Sequence, residues 1–385
     1  MSVQSRAIRL ACLFFLIMLL LAGISQAAGE PDFGDDTETV LLRGRVISVE
    51  DVEPDEAVRD FIKLEQLATV KITRGQYKGE SFVLVNSLMG HPLFDLYLTE
   101  GRNVILWGGV DIAGNLRQVY LQDFARDNYL YLITGLFILT LLIVGRRKGL
   151  VTVVTLTITI LAIFRILLPL LLAGYSPIGS TIVVAAAVSL VTILGLNGLH
   201  RKTFAAVTGT VGGVLVAGLL ALFIGNAANL TGFSSEEAQM LMYMEGGPID
   251  VRGLLFAGII IGSLGAVMDV AVTISASVYE VYCADRSKCV RELVSSAMNV
   301  GRDIMGTMAN TLILAYVGTA APLLLLFMGY HMPWGTIINS DLVATEVVRA
   351  LAGSIGLITA IPLTAIASGL LLAHGRTPSS QELKQ

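Results

Sequence analysis

Tyr129-Leu130-Tyr131-Leu132-Ile133-Thr134-Gly135-Leu136-Phe137-Ile138-Leu139-Thr140-Leu141-Leu142-Ile143-Val144-Gly145-Arg146-Arg147-Lys148 is the stretch on which the fold class turns. Tyrosines open it and three basic residues close it, the pattern of a segment that enters a bilayer through an interface and stops at charge. Six more apolar runs follow: Leu150–Leu172, Ser180–Leu196, Phe204 to about Ala227, Leu254–Val278, Ile304–Met328 and Val347–Ala373. A bilayer core of ~30 Å needs about 20 such residues in a helix. The expected class is therefore an α-helical polytopic membrane protein with seven transmembrane helices over residues 129–373, and the lipid bilayer is its first partner.

The composition agrees with that class. The chain is 54% apolar and 15% charged, against about 25% charged in soluble domains. Charge is also concentrated: residues 28–128 hold 18 of the 30 acidic and 10 of the 26 basic residues. A net charge of −4 with no basic stripe excludes a nucleic-acid partner. Three cysteines form neither a disulfide framework nor a metal set, so no metal or cofactor is expected.

Residues 1–28 read as a targeting segment. Arg6 and Arg9 precede the apolar run Leu10–Ala22, and Ser25-Gln26-Ala27 offers a cleavage point. A signal peptide is favoured over an N-terminal anchor. Residues 29–36 form a polar linker to a β-rich domain ending near 128. Its runs Thr39–Val49, Ala68–Thr73, Ser81–Val85, Val104–Trp107 and Gln118–Leu121 alternate between turn signals. Five strands in this space would suit a small barrel of the oligonucleotide/oligosaccharide-binding type, a fold shared by many functions. His91 beside Pro92 reads as a loop residue.

Orientation follows from the short loops. One set carries Arg146, Arg147, Lys148, Arg201, Lys202, Arg286, Lys288, Arg291, Arg302, Arg376 and Lys384; the other carries only Arg252, with Arg349 just inside the last run. The basic side is cytoplasmic. Residues 29–128 are then extracytoplasmic, residues 374–385 form a cytoplasmic tail, and the protein belongs in the cell membrane. Residues 279–302 are expected as a short amphipathic helix on the inner surface.

Ionisable groups at membrane depth carry the functional reading, because they are costly unless they face protein or a watery path. Asp269 is the clearest. At helical spacing it shares a face with Gly258, Gly262, Gly265, Thr273 and Ala276, and Glu280 extends it. Gly258, Gly262 and Gly265 are expected to pack this face against another helix. The sixth run offers a stripe of Asp303, Thr307, Asn310 and Thr311, from which Asn310 and Thr307 could hydrogen-bond the carboxylate. Against this stands the simpler reading, a polar cluster that only joins two helices. Arg165, Asn226, Glu346 and Arg349 are expected as interfacial anchors. Pro169, Pro322 and Pro362 are expected to kink their helices, and Gly209 and Gly213 to pack the fourth closely.

The blocks Val104–Phe124, Leu171–Pro177, Gly265–Glu280 and Gly301–Gly318, in that order, resemble the YibE/F-like family of bacterial membrane proteins. That family implies a polytopic membrane protein and no defined activity. Residues Gly265–Ile274 with Tyr279-Glu280 are similar, over about 55 residues with the following helix, to the Asp-bearing helix of SecD/SecF and of the resistance-nodulation-division permeases. This more remote resemblance implies a role for Asp269 in proton coupling, with Thr307, Asn310 and Thr311 on the neighbouring helix.

Two function classes are carried forward. One is an ion (proton)-coupled transporter or energy transducer moving an unknown solute or acting on an exported partner. The other is a membrane-embedded binding or assembly factor whose exported β domain recognises a partner. No motif of an intramembrane enzyme is present, and a homo-oligomer is compatible with either class.

Overall fold

The computed structural model describes residues 38–56, 58–92, 95–111, 114–243 and 249–373. The expected targeting segment 1–28, the linker 29–36, Cys12, Glu245 and the tail 374–385 lie outside the described residues. The chain forms two compact units, 1–140 and 141–385.

In the first unit all five expected strands are present and slightly longer than their apolar runs. They are β1 (Glu38–Val52), β2 (Leu64–Arg74), β3 (Ser81–Leu88), β4 (Asn103–Val110) and β5 (Leu116–Phe124). Every pairing is antiparallel and the order is β3-β2-β1-β4-β5. The barrel expected from the sequence is thus a half-barrel, with no ladder joining β3 to β5 among the described residues. β1 holds it together by pairing with β4 along residues 38–45 and with β2 along residues 43–52. The β1–β2 register shifts between Arg43 and Gly44, where the two ladders overlap. A Cβ on Gly44 would strike Val70, and would come 2.8 Å from Leu106, so only glycine admits the close approach. Val46, Val70, Ile72, Leu84, Val104 and Leu106 fill the concave face.

One polar residue is wholly enclosed in this core. Gln66 donates to Asp51 Oδ1 (2.8 Å) and the Leu98 carbonyl (3.3 Å), and its carbonyl oxygen accepts from Leu98 N (2.8 Å) and Asn86 Nδ2 (3.2 Å). A buried amide with all its capacity used is tolerated where an unpaired one is not. It fastens the segment after β3 to the sheet. Asp95 orders the start of that segment by accepting from the backbone N–H of Met89, Gly90 and His91.

Among the described residues six helices are long and apolar enough to cross a membrane. They are α1 (Asp127–Leu172), α2 (Pro177–Asn197), α3 (Arg201–Ala227), α4 (Val251–Ala284), α5 (Val290–Gly329) and α6 (Asp341–Ala373). The first two expected runs fall within α1, which is 46 residues long and breaks at Arg146, where φ is 48° and ψ is −119°. The chain folds back there, for a Cβ on Gly149 would overlap the Leu141 carbonyl. Beyond the break, Thr152, Thr157 and Thr159 each return their hydroxyl to the carbonyl four residues back, which satisfies them without water. A π-helical turn at Ile163–Leu167 precedes Pro169. The proline has no N–H to give, so the hydrogen-bond register widens before it. Pro322 and Pro362 lie inside α5 and α6 without ending either.

The helical core is built on α3, α4 and α6. Val267, Ile274, Val278, Leu357, Ile361 and Ala365 are fully enclosed in it or nearly so. Small residues bring α3 and α6 close together. A Cβ on Gly213 would lie 2.7 Å from the Gly356 carbonyl, and one on Gly356 would lie 2.6 Å from Ala217 Cβ. Gly209 is pressed against Thr364 in the same seam. The close packing expected of Gly209 and Gly213 is what the fold contains. By contrast, residues 279–302 are not a separate surface helix. They are the end of α4, a turn, and the start of α5, where Leu293 and Ala297 are buried in the main core. The apolar residues of that amphipathic pattern face other helices.

Candidate functional site

Asp269 lies within α4, on the face that carries Gly258, Gly262, Gly265 and Thr273. All five are exposed within the chain. Within the chain no other helix covers this face along Gly258 and Gly265. A Cβ at Gly258 or Gly265 would meet nothing within 4 Å. Gly262 alone has a neighbour, the Tyr316 hydroxyl of α5, at 2.5 Å from a Cβ built on it. The other faces of α4 are where the packing lies, with Val267, Val270, Ala271 and Ile274 buried. The Gly-xxx-Gly spacing at 258 and 262 therefore marks an open face, while the small residues that do bring helices together are on α3 and α6.

The polar stripe of α5 is open as well. Asp303, Thr307, Asn310 and Thr311 are exposed, and five residues of this 40-residue helix are buried: Leu293, Ala297, Gly301, Leu312 and Phe327. Thr307 donates to the Ile304 carbonyl (2.9 Å) and Thr311 to the Thr307 carbonyl (2.8 Å), so both hydroxyls are spent on their own helix. Thr273 likewise donates to the Asp269 carbonyl at 2.8 Å. No hydrogen bond joins Asn310 or Thr307 to the Asp269 carboxylate, and that carboxylate has no side-chain partner among the described residues. α4 and α5 nevertheless pack together, and among the described residues neither the Asp269 carboxyl nor the Asn310 amide has a side-chain partner.

Glu346 and Arg349 of α6 pair with each other across one helical turn, Arg349 Nη1 donating to Glu346 Oε1 at 2.6 Å, with side chains 24% and 28% exposed. The (i, i+3) spacing was the available signal. Glu346 Oε2 and the Tyr316 hydroxyl are both buried without a hydrogen-bond partner among the described residues. Arg165 and Asn226 are exposed. At one end of the bundle Lys202 of α3 stands over the Tyr279 ring (4.6 Å) and Arg201 donates to the Leu371 carbonyl (2.8 Å). At the other end Arg252 donates to the Gly225 carbonyl (2.8 Å), and Asp341 accepts from the Thr231 hydroxyl (2.6 Å). Among the described residues no three His, Cys, Asp or Glu side chains gather as a metal set.

A β half-barrel followed by six apolar helices, with ionisable groups among them, defines a membrane protein with a small β domain. The family model for YibE/F-like proteins matches residues 133–374, and the chain belongs to that family. Neither curated proteins nor solved structures gave a match.

Proposed function

We propose that this YibE/F-like protein is a proton-coupled transporter or energy transducer of the cell membrane, with Asp269 as the group that takes up and releases the proton. One observation carries the reading: a carboxyl without a side-chain partner stands on an open face of an apolar membrane helix. Such a group is expensive against lipid and calls for a watery path or a protein cover. A second copy of the chain is the natural cover, since Asp269 would offer it an acceptor and Asn310 would offer it donors. The remote similarity of this helix to those of SecD/SecF and the resistance-nodulation-division permeases points the same way.

The topology that goes with this reading has seven crossings. As one unbroken helix α1 would measure about 69 Å at ~1.5 Å per residue, over twice a ~30 Å bilayer core. The fold-back at Arg146, beside Arg147 and Lys148, supports two crossings joined at the cytoplasmic surface. Residues 1–28 then serve as signal peptide or anchor, the β domain lies outside and the C-terminus inside. The protein in liposomes should acidify or alkalinise the lumen under an imposed gradient; failure to move protons with any coupled driving force would remove the reading.

A second reading, a binding or assembly factor, is favoured by the outer face of the half-barrel. Ile47, Leu67, Val83 and Val85 are exposed there, with Leu67 and Val85 directly paired across β2 and β3. An apolar patch of this kind suits an exported partner. The two readings separate at Asp269, which only the first requires to titrate.

A further inference from the structure

A cavity of about 220 Å³ lies between α5 and α6. Ile313, Tyr316, Ala320 and Leu323 line it from α5, and Val343, Glu346 and Ala350 from α6. Although a tyrosine and a glutamate are among them, the accessible wall is carbon. The Tyr316 hydroxyl and Glu346 Oε2 are buried behind it, and Arg349 balances the charge of Glu346 within the same helix. An ion or a hydrated solute entering here would give up its water and gain no partner, at a cost of several kcal/mol. A carbon-lined space of ~150 Å³ stays dry and takes up benzene, so this larger one has room for an apolar group. Its mouth is set by Val317, Leu324, Val347 and Leu351, all exposed apolar side chains on helices of membrane-spanning length. The matter that meets such a mouth in a bilayer is the hydrocarbon chain of a lipid.

We propose that the cavity between α5 and α6 is a binding site for the end of a lipid acyl chain, inserted sideways from the bilayer. The chain replaces the missing wall contacts and holds α5, the most weakly covered helix of the bundle, at its distance from α6. This site depends on α5 and α6 lying in the membrane and not on any role for Asp269.

The test uses the full-length protein in liposomes whose phosphatidylcholine carries a diazirine at the acyl terminus. After photolysis, adducts are mapped by mass spectrometry. Adducts at 313–324 and 343–351 should exceed those on the equally exposed Phe137 and Leu139 of α1 by about tenfold, the ratio given by ~1.4 kcal/mol of preference. Ala350→Phe and Ala320→Phe fill the cavity from its two walls, and each should cut the adducts there while leaving those on α1 unchanged. Should both variants fail to fold, the wild-type map still decides. Adducts spread evenly over all exposed apolar helix faces would overturn the proposal. So would equal labelling of the cavity by a lipid carrying the diazirine in its headgroup.

Discussion

The Tyr316 hydroxyl rests over Gly262, 2.5 Å from where a Cβ would stand, so a side chain of α5 reaches the open face of α4 only because that position is glycine. Gly262→Ala should displace the ring and lower stability by roughly 0.5–1.5 kcal/mol, the range of a small off-rotamer cost. In a Tyr316→Phe background, which removes the hydroxyl, the same change should cost less. Thermal unfolding of the four proteins in one detergent measures the coupling. Equal costs in both backgrounds would mean that the contact is immaterial.

The two glycine pairs of the bundle should behave differently. Gly213→Val forces a branched side chain into the backbone of α6 near Gly356, and overpacking of this kind costs about 1–3 kcal/mol or more. Gly258→Val meets open space within the chain and should leave the unfolding of the isolated chain nearly unchanged. If a second copy covers the α4 face, Gly258→Val should instead shift the protein from dimer to monomer, read by light scattering in detergent.

The half-barrel should fold alone. A fragment of residues 37–125 should be soluble and give a strand-type circular dichroism spectrum, and Gln66→Leu should cost it about 1–3 kcal/mol by leaving partners of a buried amide unpaired. In Asp95, desolvation raises the pKa but is outweighed by the Met89, Gly90 and His91 backbone N–H groups, with the charge of His91 adding, so the carboxyl is held below its usual range. A depressed folded pKa contributes stability that is present above the ordinary value of about 3.9 and lost as pH falls through the folded value. Asp95→Asn should therefore flatten the acid limb of the stability profile below about pH 4. An unchanged limb would deny Asp95 that part.

Topology can be read by labelling. In a background without native cysteines, cysteines at Ser235 and Ser340 should react with an impermeant thiol reagent from outside intact cells, and one at Ser287 should not. Labelling of Ser287→Cys from outside would remove the seven-crossing arrangement.

Much of this architecture is legible in the residues alone. Alternation in Ala68–Thr73 and Ser81–Val85 around Gly75 and Gly79 locates a hairpin, because period-two burial leaves a plain trace. The basic trio at 146–148 marks the break in α1. What the residues do not reveal is which face of a helix is covered. Gly209 and Gly213, and Gly258 and Gly262, have the same spacing, yet Gly209 and Gly213 are pressed against α6 while Gly258 and Gly262 lie on an open face. In a membrane both covered and uncovered faces are apolar, so hydrophobic periodicity carries no such information. Residues 279–302 mislead for the reverse reason: their apolar stripe meets other helices, and a stripe does not name its neighbour. Tyr316 gives no sign of its role, since a tyrosine within an apolar run is ordinary and its glycine partner is 54 positions away.

The central claim is that Asp269 exchanges a proton, and one substitution bears on it directly. Asp269→Asn keeps the shape and hydrogen-bonding capacity of the side chain but releases no proton. In liposomes under an imposed gradient this variant should insert and fold as the wild type does and lose all gradient-driven activity, while Asp269→Glu retains part of it with an altered pH profile. An Asp269→Asn protein that moves protons or solute at the wild-type rate would contradict the account and leave the β domain, with its exposed Val83 and Val85, as the functional element.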